Sequence, residues 1–450
     1  MSGDIARLRA RYVNGELSPV AVAEAHLAKA QAANDRLNAF TALLPQRALA
    51  EARASAARYQ RGAPRSPIDG VPLSVKDLMH VAGEATTAAS AAADGGAQVE
   101  DSEAVARLSA LGAVVFAKTN LLEYAYGIVS PDFGPAHNPY ALDHSAGGSS
   151  SGSAVAVAAG IGFASLGTDS GGSVRNPATW CGVVGHKPTY GALPVGGVVP
   201  LAPTLDHVGV IARSVADTRC VFEALSGGAT PTMRPPRAPA RIGVLRLPGA
   251  QAAVQSRFDD VLAQMASLGH VVRDVEPIPV STANAALMTI LYAEGLEVHR
   301  ERLCAHWRAY SPAIRARLMA GGAVAASDYV RARAVRDALR AAWAPALAAL
   351  GVDVVALPTL PVTAPSERDL ALDRGGAGLG NATLYTGLFN VLGVPAVSVP
   401  IGFDPDGLPI GLQVAGVAGD DLGVLDVAAQ IEALRGAWTP PPGYLDPFTL

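Results

Sequence analysis

The sequence is poor in cysteine, lysine, aromatic side chains and long apolar runs, and each shortage excludes something. Three cysteines in 450 residues, Cys181, Cys220 and Cys304, supply neither a disulfide framework nor the paired spacing of a structural zinc site, which points to a reducing compartment. The longest run of small apolar residues, AVAVAAGIGFASLG at 154–167, is too short to span a bilayer. The opening MSGDIARLRARYV carries charges where a signal peptide has an apolar stretch, so a cytoplasmic protein with no membrane partner is expected. Aromatics are 5% of the chain, no Lys/Arg cluster alternates with them, and the net charge is −4, so no nucleic-acid partner is expected either. A small neutral substrate fits this balance better.

Lysine is the most informative shortage. Lys29, Lys76, Lys118 and Lys187 stand against 31 arginines among 35 basic residues. A lysine can become a neutral base, whereas an arginine stays charged. Lys76 closes the apolar segment VPLSV, where burial would lower its pKa and favour the free amine. The ordinary alternative is a strand-end lysine reaching for solvent. It is weakened by Asp77, which already makes that strand end polar, and by the arginines used elsewhere.

Half of the residues are hydrophobic, enough to bury the core of one large α/β unit or of two to three smaller domains. Residues 17–60 carry apolar side chains at three- and four-residue spacing, predicting amphipathic helices with Ser18 or Pro19 at a start. IDGVPLSVKDLM (68–79) reads as a turn entering a short strand, and 102–120 as a helix, a stop at Gly112 and a buried strand. A helix is expected over 154–161, then strand and helix in GVIARSVADTRCVFEALSG. Four prolines in 231–241 mark an exposed linker before the strand-like RIGVLRL. Residues 282–350 have helical periodicity, while 352–359 and 396–402 read as buried strands. RGGAGLGN (374–381) reads as a surface loop, with a mobile loop beside a site as the alternative.

Two Gly/Ser segments, HSAGGSSSGS (144–153) and GTDSGGS (167–173), flank the short helix-like stretch and so converge at one end of a sheet, bringing Ser149, Ser150, Ser151 and Ser173 together. Glycines there let consecutive N–H groups point at one spot, a nest suited to an oxyanion. A single such run is more often a linker; two around an apolar helix are harder to dismiss. Neither segment ends in Gly-Lys-Ser/Thr or has the spacing of a dinucleotide fingerprint. GSSSG (148–152) matches a nucleophile elbow centred on Ser150, with His186, His207 and His270 as downstream bases. An elbow follows a strand, however, and GPAHNPYALDHSAG before it reads as a loop. The nine histidines are scattered singly, so no metal and no cofactor are expected.

The block GGSSSGSAVAVAAGIGFASLGTDSGGSVRNPATWCGVVGHKPTYG (147–191) closely resembles the signature of the amidase signature superfamily. GVPLSVKD (70–77) is similar to that family's catalytic-lysine segment, and TLDHVGVIARSVAD (204–217), GVPAVSVPIG and GLPIGLQ (393–413) to later landmarks, so the likeness runs from about residue 15 to 435. The resemblance implies an α/β fold in one large domain over 1–450, with a central mixed β-sheet covered by helices and a signature core at about 65–220. It further implies a Ser–cis-Ser–Lys triad with Ser173 as nucleophile, Ser149 as bridging serine and Lys76 as base. The backbone N–H groups of Ser170, Gly171, Gly172 and Ser173 would form the oxyanion hole, and Asp169 and Arg175 would order the loop. Tyr126, within YAYGIVSPDFG (124–134), Trp180 and Tyr385 are expected to line the substrate pocket.

The implied activity is hydrolysis of a small carboxamide, with a homodimer left open. Two rivals stand: an amidotransferase A-type subunit releasing ammonia from glutamine, and a non-catalytic binding protein of the same fold. The family's amidotransferase subunits carry an acid just before the segment matching LYTGLFNVLGVPA, where it reads the α-amino group of glutamine. The matching residue here is Thr383.

Overall fold

The computed structural model describes residues 3–227, 239–275, 279–372, 382–435 and 438–450. The Gly-rich stretch 374–381 and all but the last three residues of the expected linker lie outside them. Eleven strands form one sheet: β1 (Phe40–Leu43), β2 (Pro72–Lys76), β3 (Val114–Thr119), β4 (Ala164–Asp169), β5 (Val184–Lys187), β6 (His207–Ala212), β7 (Arg241–Val244), β8 (Val271–Asp274), β9 (Val354–Pro358), β10 (Ala396–Phe403) and β11 (Pro409–Ala415). Their order is β1-β3-β2-β4-β6-β5-β10-β11-β9-β7-β8. The sheet is mixed. β2 runs parallel to β3 and β4, and β7 to β8 and β9, while the middle from β4 through β6, β5, β10 and β11 to β9 is antiparallel.

Strands β2, β3, β4 and β6 are buried along their whole length, as expected for near-continuous apolar runs covered on both faces. The helix Pro19–Leu37 begins where its sequence signal stands: Ser18 Oγ accepts the Val20 N–H at 3.2 Å, a cap whose loss would cost about 1 kcal/mol. The helix Ser151–Ala158 starts three residues earlier than 154, directly out of the first Gly/Ser loop. Every residue of it is buried, and it packs against β2, β3, β4 and β6. Its sequence SGSAVAVA carries only small side chains, which lets a helix sit at the centre of the fold. One close approach depends on a missing Cβ: at Gly167 a side chain would meet Ser150 Oγ at 2.7 Å.

On the other side, the helices Val280–Ala305 and Ala326–Leu350 contribute Leu287, Ile290, Trp343 and Leu347 to an apolar cluster that includes Tyr126, Tyr385 and Phe389. The C-terminal residues fold back onto the opening helices. Leu445 N–H donates to Ala159 O at 2.9 Å, and Lys29 Nζ donates to the carbonyls of Asp446 and Thr449, both at 2.6 Å. The other three lysines, Lys76, Lys118 and Lys187, are completely buried. No helix among the described residues is long and apolar enough to cross a membrane.

Candidate active site

β2 and β4 are parallel neighbours, with Val75 opposite Leu166, so their C-terminal residues Lys76, Thr168 and Asp169 emerge at the same end of the sheet. The two Gly/Ser loops meet there. Lys76 Nζ stands 2.7 Å from Ser149 Oγ, 2.8 Å from Thr168 Oγ1 and 3.0 Å from Ser150 Oγ. Burial pushes the Lys76 amine down to about 7, against the opposing pull of Asp169 and Asp206. A lysine so placed can hold a neutral amine near neutral pH, as a base requires.

Ser149 follows a cis peptide bond, Gly148–Ser149, and is buried. Ser150 is sealed as well, and its hydroxyl is fully committed: it donates to Thr168 O at 3.1 Å, accepts the Thr168 N–H at 3.2 Å and lies against Lys76 Nζ. The elbow reading thus meets a serine with no access to substrate. Ser173 is half-buried, and its carbonyl accepts the Ser150 N–H at 3.1 Å. Among the described residues Lys76 is bonded to Ser149, while no hydrogen bond joins the hydroxyls of Ser149 and Ser173. Catalytic hydrogen bonds often close only around substrate.

The loop at 170–173 is held from behind by Asp169. Its carboxylate accepts Gly172 N–H at 2.7 Å, Val174 N–H at 3.1 Å, Arg175 Nε and Nη2 at 3.0 Å and Asn390 Nδ2 at 2.8 Å. Burial alone would raise this carboxyl, but Arg175, Lys187 and Asn390 bring it well below the usual range. Arg175, itself fully buried, also donates to Thr386 O at 2.9 Å and Gln413 Oε1 at 3.0 Å, tying the loop to β11. Gly172 has φ +128°, and a side chain there would run into Thr386 and Asn176. This network corrects one expectation: the Gly172 N–H is taken by Asp169 and does not face a substrate. The N–H groups of Ser170, Gly171 and Ser173 carry no such bond among the described residues.

Of the three aromatic residues expected at a substrate pocket, Tyr126 and Tyr385 lie in the core, Trp180 is buried but lines a cavity with His144, Gln251 and Val362, and all three have their polar atoms on main-chain carbonyls. Tyr126 OH donates to Leu291 O (3.3 Å), Trp180 Nε1 to Val362 O (3.0 Å) and Tyr385 OH to Leu247 O (3.1 Å) and Pro248 O (3.2 Å). Tyr385 does belong to the short helix Ala382–Thr386, which touches the loop, because Thr386 Oγ1 donates to Gly171 O at 2.6 Å. Of the candidate histidine bases, His207 stands beside the site, where its Nδ1 also lies 3.1 Å from Asp169 O, and the other two are engaged elsewhere. His207 Nδ1 faces Leu205 O at 2.6 Å, His270 Nδ1 accepts Ala240 N–H at 3.0 Å, and His186 stands 3.4 Å from Asp421. Sequence reasoning quoted the segments that hold Thr168, Asp206, Asn390 and Gln413 but gave none of the four a role, because strand pairing and the placement of the short helix Leu388–Leu392 are what bring them to the site.

Residues 21–425 match the family model described as Amidase. The chain is 35% identical to the A-type subunit of the glutamyl-tRNA(Gln) amidotransferase of Anaeromyxobacter dehalogenans (strain 2CP-C), over 95% of each chain. Among solved structures it is similar to one described as an amidase, with a TM-score of 0.87 and 37% identity, covering 96% of this chain and 99% of that one. It is also similar to the peptide amidase of Stenotrophomonas maltophilia, with a TM-score of 0.82 and 30% identity, covering 97% and 98%.

Proposed function

Because this chain belongs to the amidase family, we propose that it hydrolyses the C–N bond of a small carboxamide through an acyl-enzyme on Ser173. The observation that carries this reading is a fully buried Lys76, brought to about 7 by its burial, in contact with Ser149 at 2.7 Å. The hydrogen bonds of each partner support this reading. Ser150 spends its proton on Thr168 O and must accept from Nζ, and Thr168 Oγ1 takes a second N–H. The lone pair of a neutral amine then faces the Ser149 hydroxyl.

In this mechanism Ser173 attacks the amide carbonyl while giving its proton to Ser149, and Ser149 passes its own to Lys76. The N–H groups of Ser170, Gly171 and Ser173 stabilise the tetrahedral oxyanion, each by roughly 3 kcal/mol. The amine leaves with the proton returned through Ser149. Water then repeats the attack on the ester and releases the acid and free Ser173. A panel of aryl, alkyl, urea-like and cyclic amides, read by amine or ammonia release, tests the reading. Inertness toward all of them, with no fluorophosphonate adduct, would leave the non-catalytic alternative.

A second reading, an amidotransferase A-type subunit, is supported by the 35% identity to such a subunit over 95% of both chains. Thr383 weighs against it. Its methyl group stands 3.8 Å from where a Gly171 side chain would begin, so the position where the resemblance expects an acid toward glutamine lies beside the loop and carries no charge. Copurification of two further subunits would favour the amidotransferase.

A further inference from the structure

Asp206 takes no part in the relay, yet it bridges the site and the helices behind it. Its carboxylate accepts a hydrogen bond from the Ser170 hydroxyl, at the head of the oxyanion loop. It also accepts Leu201 N–H at 2.9 Å and Ala202 N–H at 3.1 Å, which closes its own turn. That turn is pinned in addition by Glu294 on the helix Val280–Ala305: Thr204 N–H donates to it at 3.0 Å, Thr204 Oγ1 at 2.6 Å and Tyr329 OH at 2.8 Å. Asp206 lines a small cavity together with Ser170, His207 and Thr168, the last in contact with Lys76. Closing the turn needs only the two N–H donors, Leu201 and Ala202. The bond to Ser170 reaches out of the turn to the loop after β4.

We propose that Asp206 is a positioning residue of the reaction: it holds the oxyanion loop through the Ser170 hydroxyl and brings a negative charge to the cavity it shares with Thr168, the partner of Lys76. The inference rests on the reading of Ser173 as nucleophile and Lys76 as base. Its ionisable surroundings come from each neighbouring element: Lys76 from β2, Asp169 from β4, His207 from β6 and Glu294 from the helix. Burial keeps His207 neutral, so it adds no charge of its own. Although the side chain touches the cavity, the enclosing chain pushes the Asp206 carboxyl up to about 6, with Ser170, Leu201 and Ala202 drawing it down and Glu294 adding to the rise. Above that pH Asp206 is a carboxylate that favours the protonated form of Lys76. Removing the charge therefore extends the free amine to lower pH.

The test is the rate of inactivation by a fluorophosphonate as a function of pH, with the adduct mapped by mass spectrometry, because this probe needs no knowledge of the natural amide. In the wild-type protein the rate should rise through about 7 as Lys76 deprotonates, with the adduct on Ser173. Asp206→Asn should lower the maximal rate about tenfold or more and move the rising limb to lower pH. Ser170→Ala should lower the maximal rate, and Ser170→Thr, which keeps the hydroxyl, should restore it. This pair stands on its own if Asp206→Asn does not fold. A limb that stays in place in a folded Asp206→Asn protein, or a wild-type maximal rate in Ser170→Ala, would overturn the inference while leaving the mechanism intact. A wild-type protein without an adduct on Ser173 would remove the mechanism, and the inference with it.

Discussion

The backbone N–H of Ser150 donates to the carbonyl of Ser173 at 3.1 Å, clasping two Gly/Ser loops that lie on either side of the helix Ser151–Ala158 and β4. Through this one bond the residue after Ser149 is fixed to Ser173, so the two hydroxyls of the proposed relay share a common frame. The geometry leads to separable expectations for each member.

Ser173→Ala should abolish turnover and acyl-enzyme formation while leaving the thermal unfolding curve in place, since the half-buried hydroxyl makes no hydrogen bond among the described residues. Intact-mass and peptide mapping after fluorophosphonate treatment check it. An adduct on Ser150 would reverse the assignment and revive the elbow.

Lys76 separates charge from basicity. Lys76→Arg keeps a cation and Lys76→Ala removes it, but neither can take a proton from Ser149, so both should lose about 10²–10⁴-fold or more in kcat/KM. Wild-type activity should rise as pH passes through about 7, where the buried amine loses its proton, and then level off. A Lys76→Arg protein with near-normal kcat and the same profile would send the proton elsewhere.

Arg175 and Asp169 should act on stability. Arg175→Ala leaves a buried carboxylate without its cation, at a cost of about 3–5 kcal/mol in denaturant melts. The Asp169 carboxyl is held below its unfolded value of 3.8, so the pair contributes fully above that pH and its contribution is lost as pH falls toward the folded value. The wild-type protein should therefore lose stability on acidification more steeply than Arg175→Ala. Parallel slopes would show that the pair contributes nothing.

Free glutamine should be a poorer substrate than uncharged small amides, because Thr383 presents no carboxylate to an α-amino group. Ammonia release measured side by side decides it. Glutamine at the head of the panel would favour the amidotransferase reading despite Thr383.

What is legible in the sequence and what is not divide along physical lines. Lys76 stands out because lysine is scarce and an apolar strand precedes it. The serines stand out because glycines flank them, and the family resemblance supplies their roles. The helix after the first loop begins three residues ahead of its apolar signal, since Ser-Gly-Ser reads as loop until a fully buried packing site makes small side chains an advantage. Asn390 and Gln413 are silent because their function is to complete Arg175, which depends on where β11 and the short helices before β10 fall. The commitment of the Gly172 N–H is equally hidden: a glycine pattern announces backbone freedom, and only the position of Asp169 decides which N–H is used. Tyr126 and Tyr385 are the converse case, aromatics in suggestive segments whose hydroxyls are satisfied by carbonyls in the core.

The sealing of the lysines turns the chain into a gauge of its own opening. Lys76, Lys118 and Lys187 are closed to solvent, and Lys29 has its amine turned onto the carbonyls of Asp446 and Thr449. An acylating reagent or a lysine-specific protease therefore finds few reactive ε-amines on the native fold and all four on the unfolded chain. Modification at Lys29 counts the moments when the C-terminal segment lifts away, whereas modification at Lys118, locked in its ion pair with Asp77 at 2.6 Å, counts deeper openings of the sheet. Two amines in one polypeptide thus report two depths of breathing, with no label added.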